Sequence, residues 1–255
     1  MCSRQVLLPV LKRRISKTRP DMTLTDFEIA QMIDLSAVRA NDDEQSIRAL
    51  VAAACKYHCH LVTTLPSHTM LVKALLRDTG QEGSSVLVGG NVGFPSGGQS
   101  TRIKTAETRE LVRMGCDEID MVINIAWLLS GRDNYVLQDI LGVVDSAKQI
   151  VPGILVKVIL ECCYLNADQI RHGCELCVEA GADFVKTGTG WAPSGATLEN
   201  IALIKAHVGN TISIKASGGI RDKDMLLEMH RLGAIRFGIG LSWISGVLTN
   251  GTTGG

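Results

Sequence analysis

Two rhythms of apolar residues alternate along the chain. Short runs rich in Val, Ile and Leu predict strands at Met32 to Leu35, His60 to Leu65, Val86 to Val92, Glu118 to Ile123, Ile154 to Leu160, Asp183 to Lys186, Thr211 to Lys215 and Ala234 to Gly238. The stretches Asp43 to Tyr57, Ser67 to Asp78, Ile103 to Met114, Tyr135 to Ile150, Ala167 to Ala180, Leu198 to His207 and Lys223 to Leu232 carry apolar residues at helical spacing, and a further helix opens the series from about Thr25. Strand-helix alternation builds a parallel sheet, because a parallel partner is reached only by a crossover. Eight repeats in 255 residues favour closure into a single (β/α)8 TIM-type barrel with an additional N-terminal helix, an α/β fold. An open, doubly wound sheet is the alternative architecture.

Three of the strand runs hold a lone lysine: Lys157 in Ile154 to Leu160, Lys186 in Asp183 to Thr187, and Lys215 in Ile212 to Ala216. A buried ammonium costs free energy unless it is paired or loses its proton, so several in neighbouring strands point to chemistry. Side chains alternate across a strand. Ile212 and Ile214 therefore turn to the helix layer and leave Ser213 and Lys215 for the barrel interior; Val156 and Val158 do the same for Lys157. In the fourth strand the apolar set Ile119, Met121 and Ile123 leaves Glu118 and Asp120 inside. Like-charge repulsion from a second ammonium such as Lys215, together with burial, is expected to depress the pKa of Lys186, and a neutral amine attacks a carbonyl. The resulting Schiff base is an electron sink for carbon-carbon cleavage, with Asp120 moving protons through a water and Lys157 holding its charge and orientation. A buried ion-pair network that only fills the barrel is the structural alternative.

Composition narrows the partners. The 26 basic and 26 acidic residues balance, so no net field favours nucleic acid or an anionic membrane surface, and a small-molecule substrate is expected. The eight cysteines lie in apolar or helical segments with no export signal ahead of them, which predicts reduced thiols in a cytoplasmic protein. Cys174 and Cys177 form a C-x-x-C on a helical pattern without a second ligand pair, so core packing is the expected role and no metal site is expected. Residues 1–24 read as a basic N-terminal extension with no acid before Asp21, residues 25–249 as the barrel, and residues 250–255 as a flexible tail.

Several motifs follow one another in order: Met32 to Leu35, Gly93 to Gly97, Lys104 to Thr108, Gly115 to Asn124, Leu155 to Glu161, Ala180 to Gly190 and Lys215 to Arg221. Together they resemble the deoxyribose-phosphate aldolase family. The resemblance runs from about Thr25 to Gly238. It implies a class I aldolase that cleaves 2-deoxyribose 5-phosphate reversibly to glyceraldehyde 3-phosphate and acetaldehyde, with no metal or other cofactor, and often as a homodimer. By motif position it implies Lys186 as the Schiff-base lysine, Lys215 as its perturbing neighbour, Asp120 as the proton-transfer group and Lys157 as a supporting charge. For the substrate and its phosphate it implies Thr187, Thr189, Gly190, Gly218, Gly219, Arg221, Gly238 and Gly240, in keeping with the anion site that the last two loops of such barrels form.

The chain departs from the family pattern at that end. Where a Gly-x-Ser-Ser is usual after the last strand, it has Gly238-Ile239-Gly240-Leu241, with Ser242 one step later. The nucleophile is followed by Thr187-Gly188-Thr189-Gly190 and the bulky Trp191, Thr63 stands where a cysteine is common, and the C-terminus has no tyrosine. A sister aldolase acting on a non-phosphorylated or differently substituted substrate is therefore a second functional reading. A non-enzymatic barrel serving as a binding module is a third, and four inner ionisable groups speak against it.

Overall fold

A computed structural model describes residues 24–80 and 83–248. The basic extension proposed for residues 1–24 lies outside the described residues except for Leu24, and so does the tail at 250–255. Eight parallel strands close on one another in chain order: β1 Ile33–Ala37, β2 Leu61–Thr64, β3 Leu87–Val92, β4 Glu118–Val122, β5 Leu155–Ile159, β6 Phe184–Lys186, β7 Ser213–Ser217 and β8 Arg236–Gly240. β8 pairs with β1, so the sheet is a barrel and not the open alternative.

The helices are α1 Asp26–Ala30, α2 Glu44–Tyr57, α3 Thr69–Asp78, α4 Thr101–Arg113, α5 Ile125–Leu129, α6 Asp133–Lys148, α7 Ala167–Glu179, α8 Leu198–Val208, α9 Lys223–Arg231 and α10 Ile244–Val247. Several starts are fixed by side-chain caps. Asp43, Thr197 and Asp222 accept the N–H of the residue three ahead, and Thr25 with Glu28 and Asn166 with Gln169 close reciprocal boxes.

β7 and β8 begin two residues later than the pattern predicts and run on past Lys215 and Gly238. The N–H groups of Thr211 and Ala234 are taken by the carbonyls of Val208 and Met229, so these residues finish the preceding helices instead of opening the strands. α5 and α10 escape periodicity because five and four residues are too few to show it.

The apolar core lies between the sheet and the helix ring. Leu35, Val62, Val88, Ile119, Val156, Val185, Ile214 and Ile239 are buried on the outward faces of their strands. Cys174 and Cys177 are fully buried in the same core, on α7. The register then turns the intervening residues inward: Asp120 stands opposite Lys157, and Lys186 opposite Lys215. Interiors of such barrels are ordinarily filled by bulky branched side chains. Here much of that space is occupied by charge.

Candidate active site

Seven ionisable side chains meet inside the barrel. Asp120 is the hub: its Oδ1 accepts from Lys157 at 2.7 Å, and its Oδ2 from both Lys186 at 2.8 Å and Lys215 at 2.7 Å. Lys215 also pairs with Asp34, and Lys157 reaches Glu118 at 2.6 Å and Asp34 at 3.6 Å. Arg236 closes the set with 2.9 Å contacts to Asp34 and Glu118. All seven residues are buried, with Lys157, Lys215 and Asp34 at zero exposure.

The charge count singles out one lysine. Four cations, Lys157, Lys186, Lys215 and Arg236, face three carboxylates, Asp34, Glu118 and Asp120, so the cluster is even only when one ammonium has lost its proton. Lys157 touches three carboxylates and Lys215 and Arg236 two each, whereas Lys186 touches Asp120 alone. Lys186 is therefore the least compensated. Its pKa is pushed down to about 8, chiefly by burial, with Asp120 opposing and the Lys215 and Lys157 ammoniums adding to the fall. Burial thus outranks the like-charge repulsion that the sequence brings forward first. Lys157 moves the other way, because its carboxylates outweigh burial and hold it charged. Burial also works against the charge of Asp120, yet the three ammoniums keep it well below the usual carboxylate range. Burial opposes the charge of Asp34 and Glu118 too, and both are nonetheless low, Asp34 through Lys215, Lys157 and Arg236, and Glu118 through the hydrogen bond to His60 at 3.3 Å and then through Lys157 and Arg236.

Lys186 and Lys215 line a small chamber with Asp34, Thr63, Asn91 and Phe94. Ser36, Val38, Thr189, Ser217 and Gly238 line both this chamber and a cavity of about 260 Å³ beside it. Of the residues that the resemblance brings to the substrate's phosphate, Thr189, Gly190, Gly218, Gly219, Gly238 and Gly240 line the cavity. Gly218 needs its lack of a side chain: its φ is +91°, and a Cβ there would lie 2.9 Å from the Cα of Gly195. Thr187 is buried apart from the cavity wall, where its hydroxyl donates to the Ser217 carbonyl and accepts the Ser217 N–H. Arg221 is also absent from the wall, its guanidinium 4.7 Å from the centre of the Trp243 ring. Ser242 lines the cavity, so one hydroxyl is present despite the displaced serine.

Sequence reasoning left several members without a role. Asp34 and Arg236 carry the same signal as the lysines, a lone charge inside an apolar run, and Asp34 lies in a motif already quoted for the resemblance. Glu161 gives no such signal. It sits at φ +56°, buried, and accepts from Thr189 N–H at 3.1 Å and from the Thr189 hydroxyl, which fixes the loop after Lys186.

Comparison with known proteins makes the class an aldolase, a carbon-carbon lyase. Residues 29–248 match the model of the DeoC/LacD family aldolases, and the chain belongs to that family. The deoxyribose-phosphate aldolase of Klebsiella pneumoniae is 43% identical over 227 residues, which is 89% of this chain and 89% of that protein. The enzyme of that name from Rhizobium meliloti is 43% identical over 224 residues, 88% of this chain and 87% of its own. Among solved structures, the tetrameric deoxyribose phosphate aldolase from Aeropyrum pernix superposes with a TM-score of 0.78 at 27% identity, covering 88% of this chain and 91% of that one. Among the described residues no helix is long and apolar enough to cross a membrane.

Proposed function

We propose that the substrate is 2-deoxy-D-ribose 5-phosphate, cleaved reversibly to D-glyceraldehyde 3-phosphate and acetaldehyde through a Schiff base on Lys186. The neutral amine adds to the aldehyde carbon C1 of the open-chain sugar, and loss of water gives the imine. The C3 hydroxyl gives up its proton, the C2–C3 bond breaks, and its electron pair enters the protonated imine to form an enamine as glyceraldehyde 3-phosphate leaves. Protonation of the enamine carbon and hydrolysis release acetaldehyde and the free lysine.

Asp120, a carboxylate in the resting site, pairs with the iminium, takes the C3 hydroxyl proton through a bridging water and returns it by the same route to the enamine carbon. Lys215 and Lys157 keep that carboxylate ionised, and Lys215 adds to the repulsion that disfavours the Lys186 ammonium. The tail of the sugar occupies the cavity lined by Gly190, Gly218, Gly219 and Gly240. The observation that carries the reading is the lowered pKa of a buried lysine bonded to Asp120, in a chamber that shares its wall with that cavity.

Borohydride reduction in the presence of acetaldehyde tests the chemistry: a covalent mass adduct on Lys186 is expected, and an unmodified lysine refutes it. Comparing kcat/KM for 2-deoxyribose 5-phosphate and 2-deoxyribose tests the substrate. Gly240, Leu241 and Trp243 on the cavity wall favour the second reading, a sister aldolase for an unphosphorylated tail, and that reading prevails if phosphate brings no advantage. A homodimer is the assembly proposed from the resemblance, tested by sedimentation.

A further inference from the structure

At the end of the last strand, Gly240 and Leu241 stand where two adjacent hydroxyls are usual and Ser242 alone supplies one to the cavity wall, so an anion there needs a further source of attraction. Among the described residues that line it, Arg39 alone carries a cationic side chain. Arg39 lies in the loop between β1 and α2. Its Nη2 donates to the Gly190 carbonyl at 2.6 Å, and its guanidinium carbon sits 5.5 Å from the centre of the Trp191 ring. Trp191 is itself anchored: its indole N–H donates to the Val38 carbonyl at 3.0 Å, its backbone N–H to the Thr189 hydroxyl at 3.0 Å, and its ring meets Phe94 edge-on. The guanidinium is thus held by stacking and by one of its five N–H donors, with the others still to be used.

We infer that Arg39 is a specificity-determining residue of this aldolase, the cation that binds the terminal phosphate of the sugar where only the Ser242 hydroxyl remains of the usual pair. The assignment rests on the proposed substrate. A planar fork of N–H donors matches a phosphate dianion, and a stacked, tethered guanidinium has little rotamer freedom left to lose on binding. Asp42 shares the wall, and one of its carboxylate oxygens accepts the backbone N–H of Arg39 at 2.7 Å. A neutral tail would gain nothing from such a cation.

The test is the ratio of kcat/KM for 2-deoxyribose 5-phosphate to that for 2-deoxyribose, measured in the wild type, Arg39→Gln and Arg39→Lys. Loss of a charge-assisted contact predicts that Arg39→Gln lowers the ratio about 10- to 100-fold, mainly through KM, and that Arg39→Lys restores part of it. Inorganic phosphate, as a competitive inhibitor of 2-deoxyribose cleavage, should weaken in parallel. If Arg39 served only to tie its loop to Gly190, both substrates would suffer alike and the ratio would stay at the wild-type value, which overturns the assignment and leaves the substrate reading intact. A wild type with no preference for the phosphorylated sugar overturns both.

Discussion

Replacing Lys215 by leucine tests what lowers the pKa of Lys186, the proposed nucleophile. In the wild type the interior holds four cations against three carboxylates, and Lys186, the least compensated, is the one whose proton is most readily released. Without Lys215 the count is three against three with Lys186 protonated, and the Asp120 oxygen that the two lysines share attracts Lys186 alone. Burial still opposes the ammonium, so the pKa should climb from about 8 toward the ordinary lysine value without necessarily reaching it. With a free-lysine pKa of about 10.4, the neutral fraction at pH 7 falls from about one in ten to as little as about one in 2,500. The loss in kcat/KM at pH 7 is then about 10- to 230-fold for a rise of about 1 to 2.4 units. The remaining carboxylates keep cations, since Asp34 retains Arg236 at 2.9 Å and Asp120 retains Lys157 at 2.7 Å.

The assay is the pH profile of kcat/KM for cleavage of 2-deoxyribose 5-phosphate, from about pH 6 to 10.5 around the relevant lysine values. Wild-type activity should rise with pH and level off above about 8. The variant should still be rising well above that point. Height alone does not decide, because removing Lys215 also empties part of the chamber wall. Position does: a Lys215→Leu enzyme whose rising limb remains near the wild-type midpoint refutes the electrostatic account.

Other consequences follow from the same cluster. Lys186→Arg should abolish cleavage and the borohydride adduct together, because a guanidinium cannot shed its proton to attack, and either one surviving at wild-type level would refute the nucleophile. Native Lys186 releases its proton at about 8, while the unfolded chain holds its own to about 10.4, so between those values the unfolded state binds more protons and rising pH favours folding. Denaturant titrations should therefore show the wild type gaining about 3 kcal/mol on Lys186→Met across that window, and parallel curves would contradict the depressed pKa. Asp34→Asn should cost about 3–5 kcal/mol of stability, since it strips a buried carboxylate from both Lys215 and Arg236, and a loss under about 1 kcal/mol in urea would show the pairing to be unimportant.

The barrel and its chemistry were legible because both follow from a period of two. Alternation along β4, β5 and β7 assigns Asp120, Lys157 and Lys215 to one face without any knowledge of neighbouring strands. What alternation withholds is pairing. Nothing local says that Lys215 and Lys186 share one oxygen of Asp120, or that Asp34, 181 residues away, takes the other side of Lys215. The rank of causes was hidden for the same reason, since the degree of burial around Lys186 depends on how all eight strands close.

The tail cavity obeys a different logic, and this explains why motif matching served it less well. Its walls are loop residues, and their alignment follows from contacts across the barrel mouth: Arg39 to Gly190 over 151 residues, and Trp191 to Val38 over 153. Such positions are free of the strand register, so a serine displaced by one step can still reach the wall, as Ser242 does, and an arginine from the first loop can stand where the last one is short of donors. The lysines have no such freedom, because a slip of one residue in β6 or β7 would turn Lys186 or Lys215 out of the interior and into the apolar helix layer. The reaction is therefore fixed by the strands, and the choice of tail is set by whichever loop side chains converge above them.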